Sequence, residues 1–122
     1  MEPRKFWLYI IRYVGNVVRG EFVNMAVCLA EDGDGHDRFV GFECLKNWDR
    51  LQGFFPSADS VFLRGWCLEV GKELRSLERR DSALRQLSSE DTNISVFAET
   101  KAVETNSDPL QELHAVAQMY LE

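Results

Sequence analysis

The chain opens on alternation. From Phe6 to Val14, Phe6, Leu8, Ile10 and Arg12 fall on one side of an extended backbone, with Trp7, Tyr9, Ile11 and Tyr13 on the other. Successive strand residues point to opposite faces, so apolar residues in both registers predict a strand buried on both sides as far as Arg12. Gly15 and Asn16 punctuate it, and a second strand is expected from about Glu21 to Ala30. By parity Glu21, Val23, Met25, Val27 and Leu29 share one face, opposite Phe22, Asn24, Ala26 and Cys28. "EDGDGHD" (Glu31–Asp37) is a Gly and Asp turn cluster, and Arg38–Leu45 reads as a third strand in an antiparallel hairpin with the second.

The period then lengthens. "NWDRLQGFF" predicts a short helix or turn ended by Gly53 and Pro56. A longer helix, with Ser57 as its expected cap, carries Leu63, Trp66, Cys67, Val70, Leu74 and Leu77 at spacings of three and four. Gly65 and Gly71 interrupt it at about 1 kcal/mol each relative to Ala, which marks either close packing on a neighbour or a weaker helix. Ser88–Asn93 reads as a loop, Ile94–Ala98 as a strand, and "ETKAVETNS" as an exposed connection. The last helix starts with Asp108 as cap, Pro109 in the first helical position and Gln111 placed for a capping box. Its expected buried stripe is Leu110, Leu113, Ala117, Tyr120 and Leu121. No repeat or linker divides the chain. The pattern predicts a single α+β domain over residues 1–122, with a small antiparallel sheet of about four strands and helices packed on one face.

Composition narrows the class. The 122 residues are 45% hydrophobic and 28% charged, enough for a folded domain with a real core. The net charge of −6 disfavours a nucleic-acid binder, because phosphate binding rests on Lys and Arg. Arg75, Arg79 and Arg80 cluster, but Glu73, Glu78 and Asp81 among them make a solvated helix face. No apolar run approaches the roughly 18 residues of a membrane span. "MEPRKFWLYIIRYV" mimics a signal peptide, yet Arg12 interrupts it and no small-residue cleavage site follows, so a cytoplasmic chain is expected. Cys28, Cys44 and Cys67 are odd in number, far apart and set in apolar contexts. They read as reduced core thiols rather than a disulfide framework or a zinc site.

The stretch "YIIRYVGNVVRGEFVNMAVCLAEDG", with "NISVFAETKAVETNSDPLQELHAVAQMYLE" at the end, resembles a small bacterial family, domain of unknown function 3037. The residues that carry the resemblance are Tyr9, Arg12, Tyr13, Val18, Arg19, Gly20, Glu21, Val23, Asn24 and Val27, then Asp108, Pro109, Leu113 and Tyr120. Ala26 stands where the family usually has Gly, which relaxes any demand for close backbone approach there. The resemblance spans essentially the whole chain. It implies a protein encoded beside HipA-like kinases, and hence a partner or regulator of such a kinase. That link is one of association rather than physics.

Arg12, Arg19, Glu21 and Asn24 are the candidate binding constellation. A hairpin through "VGNVVRG" brings Arg12, which closes the first strand, to the same end of the sheet as Glu21 and Asn24, which open the second, and a guanidinium fork suits carboxylate or phosphate. The alternative is architectural, with Glu21 paired to Arg12 or Arg19 and Gly20 supplying a bulge or a positive φ. Parity places Glu21 and Asn24 on opposite faces unless a bulge shifts the register. Asp32, Asp34, His36 and Glu43 echo a calcium loop, but Asp37 replaces its required Gly and Glu43 belongs to a strand, so a hairpin turn is the expectation. His114 reads as a flank residue of the last helix, without a nucleophile at pairing distance in sequence. Phe54 and Phe55, before Pro56, are the aromatic pair expected to be partly exposed. The sequence therefore predicts no catalytic residues, no metal site and no cofactor, and leaves oligomeric state open. Its first reading is a non-enzymatic accessory protein with a protein partner, a HipA-like kinase by resemblance. The alternative is a small enzyme or sensor that takes an anionic ligand on Arg12, Arg19, Glu21 and Asn24.

Overall fold

The computed structural model describes residues 4–16, 18–32, 37–76, 93–103 and 108–121, with the backbone alone at 4, 37, 76 and 99–103. Strands β1 (Arg4–Asn16), β2 (Glu21–Asp32) and β3 (Asp37–Cys44) come first, then helices α1 (Trp48–Phe54) and α2 (Ser60–Ser76). Strand β4 (Ile94–Val103) and helix α3 (Pro109–Leu121) follow. The strands form one antiparallel sheet in the order β3-β2-β1-β4, an α+β arrangement. The expected loop at Ser88–Asn93 lies outside the described residues except for Asn93, as do Leu77, Arg79, Arg80, Asp34 and His36.

The helices do not share one face of the sheet. On β3, the position of a Gly41 Cβ is filled by Leu113 of α3, and Glu43 meets His114 of the same helix. The residues between and after them point the other way: Phe42 packs on Gly71 of α2, and the Cys44 thiol meets that of Cys67. Alternate residues of one strand thus touch different helices, so the expected one-sided packing is corrected to a sheet sandwiched between α3 and α2. The reason is visible in β2, where Met25 through Ala30 are all buried. A strand apolar in both registers must be covered on both sides.

Local chemistry explains most element ends. Asn47 caps α1, its side-chain oxygen accepting from the Asp49 N–H at 3.1 Å. Helix α2 is capped by Asp59, which accepts from the Phe62 N–H at 3.0 Å, and not by Ser57. Asp108 caps α3 as expected, accepting from the Leu110 N–H at 3.0 Å. The inward stripe of α2 is Leu63, Cys67, Val70 and Leu74, with Trp66 half-buried. In α3 the stripe keeps Leu113, Ala117 and Leu121 as expected and adds Val116, while Leu110 is exposed and Tyr120 half-buried. Strand β4 runs on to Val103, so the first part of "ETKAVETNS" is strand rather than connection: β1 extends back to Arg4 and offers it a ladder.

Candidate functional site

The site at the β1–β2 end is made by a bulge. Ile11 pairs with Ala26, but the next pair is Arg12 with Asn24, which leaves Met25 as an extra residue on β2. One extra residue inverts side-chain parity, so Asn24 joins Arg12, Ile10 and Val27 on the α3 face of the sheet. The displaced Met25 is itself buried, and its carbonyl accepts from the Leu45 N–H at 2.7 Å. Arg12 Nε donates to Asn24 Oδ1 at 3.2 Å, and Asn24 Nδ2 donates to the Tyr120 carbonyl at 2.9 Å. That carbonyl lies in the last turn of α3, where the helix has no donor of its own to offer. The Arg12 guanidinium stacks 4.3 Å from the Phe22 ring and 4.9 Å from that of Phe97, one aromatic from β2 and one from β4. Cation–π contact and the Asn24 bond together hold the guanidinium along the sheet face.

Arg19 and Glu21 form a different pair. Gly20 adopts φ of +70°, the left-handed conformation that lets the turn close without a Cβ clash. The Arg19 N–H donates to Asn16 Oδ1 at 3.0 Å, and Arg19 Nη1 lies 3.6 Å from Glu21 Oε1. Both side chains are exposed. The bulge at Met25 follows Asn24, so parity between Glu21 and Asn24 is unbroken and they face opposite ways. Of the four candidates, the structure therefore joins Arg12 to Asn24 and Arg19 to Glu21.

The family model of proteins of unknown function termed DUF3037 matches residues 9–121, nearly the whole chain. The chain belongs to the DUF3037 family. No curated protein and no solved structure matches it. The residues that carry the DUF3037 resemblance now have physical roles: Tyr9 in the core, Arg12 and Asn24 in the clamp, Gly20 in the turn, and Asp108 and Pro109 at the start of α3.

Two further features of this DUF3037 chain escaped the sequence. A cleft lined by Phe22, Asn24, Leu45, Arg50, Phe54 and Tyr120 adjoins the clamp, with Phe54 exposed as expected and Phe22 nearly half exposed. On the far side of α3, an opening is lined by Glu43, Cys44, Lys46, His114 and Gln118. There His114 Nδ1 lies 2.7 Å from Glu43 Oε1, a pair between β3 and α3 that no local spacing announces. On the opposite, α2-facing side of β3, the hydrogen bond from the Cys67 thiol holds the Cys44 thiol below its ordinary pKa, outweighing burial and the Glu43 charge. The same hydrogen bond, with burial and the Cys44 charge, pushes the Cys67 thiol far up. Burial of the thiols was legible in the sequence, but their meeting was not. Among the described residues no group of three or more His, Cys, Asp or Glu is placed to hold a metal ion, and no helix is long and apolar enough to cross a membrane.

Proposed function

We propose that this chain is a non-enzymatic interaction protein that docks a partner protein on the row Phe97, Arg12, Phe22 and Phe54. The carrying observation is the Arg12 guanidinium stacked between two aromatic rings that are each about two-fifths exposed or more: Phe97 at 41% and Phe22 at 46%. Aromatic residues and Arg dominate the energetic centres of protein interfaces, the aromatics because they bury large area while ordering only two torsions each and Arg because its planar fork both stacks and hydrogen-bonds. Arg12 is already held by Asn24, so docking on its rings orders little further. Phe54, 63% exposed, and Arg50 extend the row along the adjoining cleft, which fits an apolar partner face with an acidic side chain at its rim.

The partner suggested by the family resemblance is a HipA-like kinase, in a toxin–antitoxin-like setting in a bacterial cytoplasm. The expected result is that the chain co-purifies with such a kinase encoded beside it, and that Phe22→Ser with Phe97→Ser weakens the complex at least tenfold by calorimetry. Circular dichroism confirms that the variant remains folded. A complex of unchanged affinity overturns the surface, and no association on co-expression overturns the partner.

A further inference from the structure

We propose that the edge strand β4 is a self-association surface, on which β4 of a second copy of this chain adds antiparallel with Thr100 opposite Thr100, joining the two sheets into one.

The backbone edge is regular. β4 ends the strand order, and among the described residues no strand pairs with its outer side. Its ladder with β1 runs from Tyr13 opposite Ile94 to Arg4 opposite Val103 without a register shift. β3, at the other edge, is interrupted, with Val40 left over between the pairs of Phe39 and Gly41. A bulge blunts an edge against pairing, whereas a long straight strand stays a template for it. The Val14 N–H donates to the Asn93 carbonyl at 2.7 Å, which sets the phase of the β1–β4 ladder. Counting by twos from Asn93, the residues bonded to β1 are Ser95, Phe97, Glu99, Lys101 and Val103. The alternation of an antiparallel ladder then turns the N–H and C=O groups of Val96, Ala98, Thr100 and Ala102 toward the open edge. Phe97 is 41% exposed and Ala98 is exposed, so the strand is open to solvent just before this centre.

The sequence around that centre is complementary to its own reverse. It reads "FAETKAV" from Phe97 to Val103. Laid antiparallel on a second copy about Thr100, Ala98 stands opposite Ala102 and Thr100 opposite Thr100. Those are the residues with outward backbone groups, so the register pairs the edge with itself. Glu99 then stands opposite Lys101, and Phe97 opposite Val103, at the non-hydrogen-bonded positions where cross-strand neighbours come closest. Opposite charges, an aromatic beside a β-branched residue, and Thr beside Thr are all stabilising cross-strand pairs. Charge also selects the register. Moving the two-fold by one residue along the strand sets Glu99 against Glu99 or Lys101 against Lys101, and like charges directly opposite destabilise. The two-fold is normal to the sheet, so both copies turn the same face the same way. The row Phe97, Arg12, Phe22 and Phe54 stays open on that face, and the self-association does not rest on the docking proposed above.

The test is sedimentation of the full chain across a range of concentrations, where the wild type is expected to form a dimer. Glu99→Lys and Lys101→Glu each set like charges opposite one another and are each expected to weaken it about tenfold. The two single variants mixed together are expected to form a heterodimer, and the double exchange Glu99→Lys with Lys101→Glu to restore the wild-type affinity. Thr100→Pro removes an N–H that faces away from β1, so it is expected to keep the fold by circular dichroism and to abolish the dimer. A wild-type chain that stays monomeric overturns the proposal. So does a dimer that neither single exchange weakens, that the double exchange fails to restore, or that persists in a folded Thr100→Pro. If Thr100→Pro fails to fold, the charge exchanges decide alone.

Discussion

Asn24 bridges Arg12 of β1 to the Tyr120 carbonyl of α3, accepting from one at 3.2 Å and donating to the other at 2.9 Å. A single side chain thereby fastens the sheet to the end of the last helix. Asn24→Ala is expected to destabilise the fold by about 2 kcal/mol, since two partly buried bonds are lost, one of them charge-assisted. Asn24→Asp keeps an acceptor for Arg12 but sets a carboxylate against a helix C-terminus, so it also destabilises. Urea unfolding of the three proteins checks the order. Stability equal to wild type in Asn24→Ala would count against the clamp.

Gly41 and Leu113 occupy what would be one another's space. Gly41→Ala is expected to cost about 1–3 kcal/mol through overpacking of the β3–α3 contact. In a Leu113→Ala background the same change has room, so the double variant is expected to lose less than the sum of the singles. Additive losses would show that the Cβ is accommodated elsewhere.

The turn at Gly20 offers a backbone test. With φ of +70°, Gly20→Ala is expected to lose about 1 kcal/mol and Gly20→Asn less, because Asn tolerates the left-handed region. Denaturation midpoints report the difference. An unaffected Gly20→Ala would mean that the turn rearranges.

Two caps can be told apart in the same way. Asp59→Ala is expected to cost about 1 kcal/mol, because the Phe62 N–H loses its acceptor. Ser57→Ala is expected to stay within about 0.5 kcal/mol of wild type, as a surface change away from a cap.

The thiol pair gives a pH dependence whose sign follows from its asymmetry. Cys44 ionises below the ordinary thiol range while Cys67 is pushed above it, so iodoacetamide is expected to label Cys44 alone in the folded chain. Its pH midpoint should lie below that of a free thiol, and should rise in Cys67→Ala, where the hydrogen bond is gone. By linkage, the depressed Cys44 adds stability present above its unfolded pKa and lost as pH falls through its folded one. The raised Cys67 adds stability present below its unfolded pKa and lost as pH rises. Labelling rates mapped by mass spectrometry against pH decide this, and a midpoint unmoved by Cys67→Ala would contradict it.

Much of the fold was legible from periodicity. The two-sided apolar register of β1, the β2–β3 hairpin, the inward stripe of α2 and the Asp108 cap of α3 are each set by residues close in sequence, where sterics and local hydrogen bonds act directly. The Arg19–Glu21 turn pair, with Gly20 at positive φ, belongs to the same class. What local pattern could not decide is which side of the sheet each helix covers, because both faces of β2 are apolar and either would accept a helix. Nor could it decide the bulge at Met25. A one-residue slip in register costs nothing locally, and is chosen by the distant partners it serves: Arg12, Leu45 and the end of α3. The meetings of Cys44 with Cys67 and of Glu43 with His114 depend on the same tertiary choice, since each joins a strand residue to a helix residue brought near only by packing.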